Sequence, residues 1–172
     1  MALAVTLAAI AVIALARDGW RGGSGLNLAD LLPSGLEAAE AAACGRGALT
    51  GEVTRVRDGD TIEVRGVAIR LSGLAAPERG ERGGPEATAA MRELVAGRSL
   101  RCRLDGSRTH DRCAGVCYRD GADIAAELVR RGLARDCPRY SGGRYAAAER
   151  AAARAGATIG ATYRLPGYCR SR

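Results

Sequence analysis

The chain has 172 residues, a length that suits one domain of ordinary size with extensions, and no internal repeat points to a solenoid. Its formal net charge is +7, and all 26 of its basic residues are arginines. A net positive chain favours polyanionic partners, either nucleic acid or an anionic membrane. An aromatic content of 3% argues against an extended platform on which successive bases stack.

The N-terminal region predicts export. Residues 1–16 are almost wholly apolar, and residues 14–16 read Ala-Leu-Ala, which fits a small-x-small cleavage site. The apolar stretch is shorter than the roughly 20 residues of a bilayer-spanning helix, so a cleaved signal peptide and a short membrane anchor both remain open. Residues 17–48 predict a linker with one short helix over 36–43. The expected location is secreted, periplasmic or anchored to the outer side of the membrane by a tether through residues 1–16.

A β-hairpin is predicted after the linker. Apolar and polar residues alternate over 61–64, Arg65-Gly66 supplies a turn, and the alternation resumes over 67–71. Arg70 lies between two apolar residues of this second strand, so its side chain points to the opposite face.

Helices and strands make up the rest of the chain. Pro85 opens a helix that Gly97 ends, because proline suits the first helical turn and glycine the residue beyond the last. The later elements are predicted as strands over 100–104 and 113–118, a helix over 123–131, a loop over 139–144 and an alanine-rich helix over 145–155. The fold class is therefore α+β, and we expect a disulfide to tie down the tail over 158–172.

The cysteine count is even, as a disulfide framework requires, and the export segment favours an oxidising compartment. The six cysteines are Cys44, Cys102, Cys113, Cys117, Cys137 and Cys169. We expect Cys102 to pair with Cys117, because both fall on neighbouring predicted strands. A zinc site at His110, Cys113 and Cys117 is the alternative, although the sequence has no C-x-x-C pair.

Several side chains suited to phosphate chemistry fall within one short stretch. Asp58-Gly59-Asp60-Thr61 places two carboxylates around a glycine, where a turn can aim them at one point. Arg70 and Glu78 add a guanidinium and a further carboxylate. Carboxylates hold hard cations or activate water, and arginine binds phosphate oxygens in a bidentate manner. The alternative is a solvated turn with a surface arginine and a surface glutamate.

These residues stand in an order that resembles the staphylococcal nuclease family. D-G-D-T at 58–61 precedes I-R-L at 69–71 and A-P-E at 76–78, and the likeness continues through residues 84–87 and 127–134. The resemblance implies a five-stranded OB-fold β-barrel with three helices over residues 49–157. It also implies that the protein cuts DNA or RNA with calcium.

The resemblance also implies roles for individual residues. Arg70 and Glu78 match catalytic positions of the family. Asp60 matches a calcium ligand, to which the backbone carbonyl of Ala76 would add, with Asp58 as an alternative ligand. Ala75 stands where the family has a second calcium-binding aspartate, so the resemblance implies a weakened calcium site.

Two further positions follow from the resemblance. The second phosphate-binding arginine depends on the register: one alignment places Gly115 at that position, and the other places Arg112 there. We prefer Arg112, because that register keeps the strand and the following turn without a gap. Tyr140 lies where the family has a nucleotide-contacting tyrosine, and a loop tyrosine packed on the barrel is the equal alternative.

Two functions are therefore carried forward. The first is an exported, calcium-dependent nuclease that hydrolyses DNA or RNA at Arg70, Glu78 and Arg112, with no obligate protein partner implied. The second is a catalytically silent OB-fold module that binds nucleic acid or a protein partner, with Ala75 marking a dismantled metal site.

Overall fold

The computed structural model describes residues 44–157, 159 and 163–170. The predicted export segment, the helix over 36–43 and most of the linker lie outside the described residues. Within the described part of the chain, no helix is long and apolar enough to cross a membrane.

The described elements, numbered in chain order, combine eight strands with four helices. The strands are β1 (Gly47–Val56), β2 (Thr61–Val64), β3 (Val67–Leu71), β4 (Leu74–Ala75), β5 (Ser99–Thr109), β6 (Arg112–Arg119), β7 (Ala122–Asp123) and β8 (Arg135–Asp136). The helices are α1 (Gly84–Val95), α2 (Ile124–Arg130), α3 (Pro138–Ser141) and α4 (Ala146–Arg154), followed by a 3-10 turn over Gly167–Cys169.

Five of these strands close into a barrel. The sheet runs β3-β2-β1-β5-β6, and a parallel pairing of β3 with β6 joins its two ends. The short β7 extends the sheet beyond β6, while β4 and β8 form a separate two-stranded sheet. The α+β fold class and the OB-fold barrel are therefore confirmed. The structure adds the short helix α3 to the three predicted helices, within what was predicted as a loop.

The predicted hairpin is present and explains the face on which Arg70 lies. Val64 pairs with Val67 across a two-residue turn in which Arg65 and Gly66 both have positive φ. Such turns match the twist of antiparallel strands. The alternating apolar residues of β2 and β3 enter the core, so Arg70 lies outside it at the rim.

Three disulfides cross-link the described chain. They join Cys44 to Cys113, Cys102 to Cys117, and Cys137 to Cys169. The predicted pairing of Cys102 with Cys117 is confirmed. The zinc alternative is wrong, because both of its cysteines are bonded to other cysteines rather than available to a metal. A bridge of this kind stabilises a fold by about 2–4 kcal/mol, mainly by restricting the unfolded chain.

Candidate active site

Strand pairing brings two arginines to one end of the barrel. Arg70 on β3 is paired with Thr61 on β2 and, across the parallel closure, with Ala114 on β6. Arg112 lies two residues before Ala114. Because side chains two residues apart on a strand share a face, Arg112 and Arg70 project from the same face of neighbouring strands.

A continuous chain of polar contacts connects these arginines. The Arg112 guanidinium donates to the hydroxyl oxygen of Thr61 (3.1 Å), and that hydroxyl donates to the carboxylate of Asp60 (3.0 Å). Asp60 in turn forms an ion pair with Arg70. The Thr61 hydroxyl therefore accepts a hydrogen bond from Arg112 and donates one to Asp60, the carboxylate that pairs with Arg70.

Asp60 is the buried centre of this arrangement. Its residue is 2% exposed, and an isolated carboxylate at that depth would be costly. The Arg70 guanidinium and the backbone N–H of Ala76 (3.4 Å to Asp60 Oδ2) compensate for that burial. Burial lowers the pKa of Arg70, and the nearby Arg112 lowers it further. Arginine starts so high that both side chains remain cationic at physiological pH.

Glu78 reaches the same region from a turn after Pro77. The turn is held by the N–H of Glu81, which donates to the Glu78 carbonyl (2.8 Å), and by the N–H of Glu78, which donates to the Glu81 carboxylate (2.9 Å). The Glu78 side chain is exposed, and its carboxylate makes no hydrogen bond or ion pair within the described residues. It is therefore available to water or substrate.

Gly84 is a positioning residue that the sequence did not reveal. A Cβ atom at this position would lie 1.7 Å from the carbonyl oxygen of Glu78. The first turn of α1 thus packs directly against the backbone that carries the glutamate. The G-P-E-A segment belongs to the family resemblance and marks a helix start, but neither signal indicated this close contact.

One cavity collects the predicted catalytic and substrate-binding residues. It has a volume of about 380 Å³, and Arg70, Glu78, Arg112 and Tyr140 all line it. Tyr168, from the C-terminal tail, lines it as well. Asp60 is not among the lining residues and lies behind Arg70.

The alternative register, with the second arginine position at Gly115, has no room for a side chain. A Cβ atom on Gly115 would lie 2.8 Å from the carbonyl oxygen of Arg103 and 2.9 Å from the Leu104 side chain. Gly115 is a buried residue of β6, whereas Arg112 lines the cavity. The packing favours the register that assigns this position to Arg112.

The described residues supply an incomplete set of calcium ligands. Asp58 Oδ1 accepts the N–H of Asp60 (2.9 Å), so this carboxylate stabilises the turn. The Ala76 carbonyl accepts a hydrogen bond from the Tyr163 hydroxyl (3.1 Å). Burial is the main reason that the pKa of Tyr163 rises to about 12, so the phenol remains a donor.

The side chain of Ala75 offers no oxygen to a metal ion. It is fully buried in a small apolar cluster with Cys137 and Cys169, against which Tyr163 and Leu165 pack. No group of three or more acidic, histidine or cysteine side chains suited to a metal occurs in the described residues. Calcium takes about 6–8 oxygen ligands, and the described side chains around Asp60 do not supply such a set by themselves.

A closed five-stranded barrel that carries two arginines at one end is the architecture implied by the family resemblance. Comparison with known protein families leads to the same family. Residues 68–159 match the family described as "Staphylococcal nuclease homologue". The match covers more than half of the chain, and the chain belongs to this family. It includes most of β3 and all of α1, β5 and β6, and Arg70, Glu78 and Arg112 lie within its range.

Two bacterial proteins are similar to this chain over part of its length. The chain is 37% identical over 116 residues to "Succinoglycan biosynthesis protein ExoI" of Rhizobium meliloti (strain 1021), covering 60% of this chain and 61% of that protein. It is 38% identical over 89 residues to an "Uncharacterized endonuclease" of Escherichia coli O157:H7, covering 49% and 58% respectively.

A plant protein is also similar. The chain is 32% identical over 76 residues to "Probable staphylococcal-like nuclease CAN1" of Oryza sativa subsp. japonica, covering 44% of this chain and 23% of that protein. The chain thus spans at most about three fifths of the length of these relatives.

Proposed function

We propose that the protein is a nuclease that hydrolyses phosphodiester bonds of DNA or RNA. The observation that carries this proposal is the single cavity lined by Arg70, Arg112 and Glu78. Two permanent cations and an uncommitted carboxylate around one space are what a phosphate diester and its attacking water require. Family membership and the word "endonuclease" in the name of the Escherichia coli O157:H7 relative support it.

Each side chain has a separate task in the proposed reaction. Arg70 and Arg112 bind the non-bridging phosphate oxygens and stabilise the charge that grows on them in the transition state. Glu78 orients a water molecule and accepts one of its protons as the water oxygen bonds to phosphorus. The ester P–O bond on the opposite side breaks, and the departing oxygen takes a proton from solvent.

We also propose that the protein uses calcium, bound at a weak site. A bound calcium ion would neutralise phosphate charge and help to order the attacking water. Asp60 would be its protein carboxylate and the Ala76 carbonyl a further ligand, with water and substrate phosphate completing the shell. Because Arg70 already pairs with Asp60, the ion has to compete with a guanidinium for that carboxylate.

Export is also proposed, since all six cysteines are engaged in disulfides in the described structure. Such bridges persist in oxidising compartments. The apolar stretch over residues 1–16 supports the same location, outside the cytoplasm or tethered to the outer side of a membrane.

A cleavage assay tests the proposal and its dependence on metal. Disulfide-intact protein is incubated with single-stranded DNA in millimolar calcium and then in excess chelator. We expect cutting with calcium and a large loss of rate with chelator. Binding without cutting, with an affinity that falls steeply as salt rises, would instead favour the catalytically silent module. The burial of Ala75 is the observation that favours that second function.

Replacing Ala75 by aspartate tests where the metal site lies. In chelator, Ala75→Asp is expected to lower the free energy of unfolding by about 3 kcal/mol, because it buries a carboxylate in the apolar cluster. Calcium should restore part of that loss, since a second carboxylate adds charge to the calcium shell. Thermal unfolding with and without calcium measures both effects.

Ala75→Asn is the matched control for that experiment. It has a similar shape and no charge, so calcium should not restore its stability. An equal response of the Asn and Asp variants to calcium would show that position 75 does not face the ion.

A further inference from the structure

Two tyrosines with exposed rings flank the cavity of the proposed active site. Tyr140 is 58% exposed and Tyr168 is 52% exposed, and both line the cavity that contains Arg70 and Arg112. These two are the exposed large hydrophobic side chains of the described residues. The chain has few aromatic residues, and the two whose rings are exposed in the described structure both border the same cavity.

A single disulfide holds the backbone beneath both rings. Tyr140 lies in α3, three residues after Cys137, and its N–H donates to the Cys137 carbonyl (2.9 Å). Tyr168 immediately precedes Cys169 in the 3-10 turn. Cys137 and Cys169 are bonded to each other and are buried. The bridge therefore fixes the two short segments that present the rings.

The tail that carries Tyr168 has a second anchor next to the bridge. Tyr163 packs against the bridge and donates to the Ala76 carbonyl, two residues before Glu78. These contacts hold the tail beside the turn that presents the carboxylate. A ring supported in this way loses little conformational freedom when a ligand stacks on it.

Charges near the rings favour an anionic ligand with a flat group. The Arg139 guanidinium lies 5.7 Å from the centre of the Tyr140 ring. Burial lowers the pKa of Arg70, and the Tyr168 phenol partly opposes this shift, as expected of groups close enough to interact. A nucleotide bound with its phosphate on Arg70 would thus have an aromatic surface within reach of its base.

The family resemblance already implies that Tyr140 contacts the nucleotide. We propose that Tyr168 joins it in an aromatic clamp that stacks on the nucleobases adjoining the phosphate held by Arg70 and Arg112, with the Cys137–Cys169 bridge positioning both rings. The proposal rests on the proposed nuclease function. Tyr168 lies outside the range 68–159 that matches the family, so family membership does not predict its role. A tyrosine ring can stack on any base, but only when that base is free of its partner strand and unstacked from a neighbouring base. The clamp therefore selects single-stranded nucleic acid.

Binding to a cleavage-deficient protein tests the clamp apart from catalysis. The full chain carrying Glu78→Gln is titrated with a fluorescein-labelled single-stranded oligothymidylate and with an abasic oligonucleotide of the same length. Adding Tyr168→Ala should weaken binding of the first about tenfold, as expected for one lost stack. The abasic strand should bind as before, because its phosphates still reach the arginines.

Two further variants separate stacking from a structural role. Tyr168→Phe keeps the ring and should bind both strands as the parent does. The double variant Cys137→Ser with Cys169→Ser, checked for folding by circular dichroism, should show the same base-dependent loss as Tyr168→Ala. Equal weakening of the two strands by Tyr168→Ala, or no weakening of either, would overturn the clamp.

Failure of the clamp is distinguishable from failure of the nuclease proposal. A protein that cuts DNA with Glu78 intact, yet shows no base-dependent loss in Tyr168→Ala, is a nuclease without the clamp. A protein that never cuts, yet loses affinity for the base-containing strand alone, retains the clamp and refutes the hydrolytic function.

Discussion

Glu78→Gln is expected to lower the rate of phosphodiester cleavage by about 10²–10⁴-fold, the range typical of losing a general base. The amide keeps the size of the side chain but cannot accept a proton from water. Because the Glu78 side chain is exposed and its carboxylate makes no hydrogen bond or ion pair within the described residues, the free energy of unfolding should change little. Single-turnover cleavage of a labelled single-stranded oligonucleotide, together with thermal unfolding, measures both quantities.

The matched control for this substitution is Glu52→Gln. Glu52 is an exposed residue of β1 and is not among those lining the cavity. Glu52→Gln removes the same charge from the protein as Glu78→Gln does, but at a distance from the cavity. We therefore expect it to leave the cleavage rate unchanged. Near-normal cleavage by Glu78→Gln would mean that another group activates the water. Glu81, whose carboxylate accepts the N–H of Glu78, would then be the first candidate to replace.

Arg112→Lys is expected to lower the cleavage rate by about 10²-fold or more, similar to removing one donor from a site that stabilises transition-state charge. Lysine keeps the positive charge but loses the planar pair of donors that grips two phosphate oxygens. The lost hydrogen bond to Thr61 should cost about 1 kcal/mol of stability. The Asp60–Arg70 ion pair remains in place, so binding of the first phosphate oxygen survives.

The rate constant at saturating substrate is the informative measurement for Arg112→Lys, because the interaction is expected to strengthen in the transition state. Arg98→Lys is the matched control, since Arg98 is exposed and does not line the cavity. A normal rate constant with a raised KM would mean that Arg112 binds the ground state and the transition state equally.

The sequence predicted best those features that depend on local pattern. The alternation around the Arg65-Gly66 turn predicted a hairpin and placed Arg70 on the outer face, because strand side chains alternate whatever the distant context. The start of α1 at Gly84 followed from Pro85, which has no amide hydrogen to lose there. The barrel itself was predicted from the order of motifs that resembles the staphylococcal nuclease family.

Features made by distant parts of the chain were not predictable in this way. The docking of Tyr163 onto the Ala76 carbonyl joins residues 87 positions apart, and no local periodicity encodes it. The close approach of Gly84 to the Glu78 carbonyl is a matter of packing between a helix and a turn. Helix α3 is a single turn inside a loop-like sequence, too short for periodicity to reveal.

The parallel pairing of β3 with β6 has a consequence for the order of events during biogenesis. It brings Arg70 beside Ala114, 44 positions further along the chain, and it is the contact that closes the barrel. Contacts of long sequence separation form late, since the intervening chain must first be ordered. A nascent or translocating chain therefore holds its two guanidinium groups apart, and under the proposed function it stays harmless to the nucleic acid of the cell that makes it.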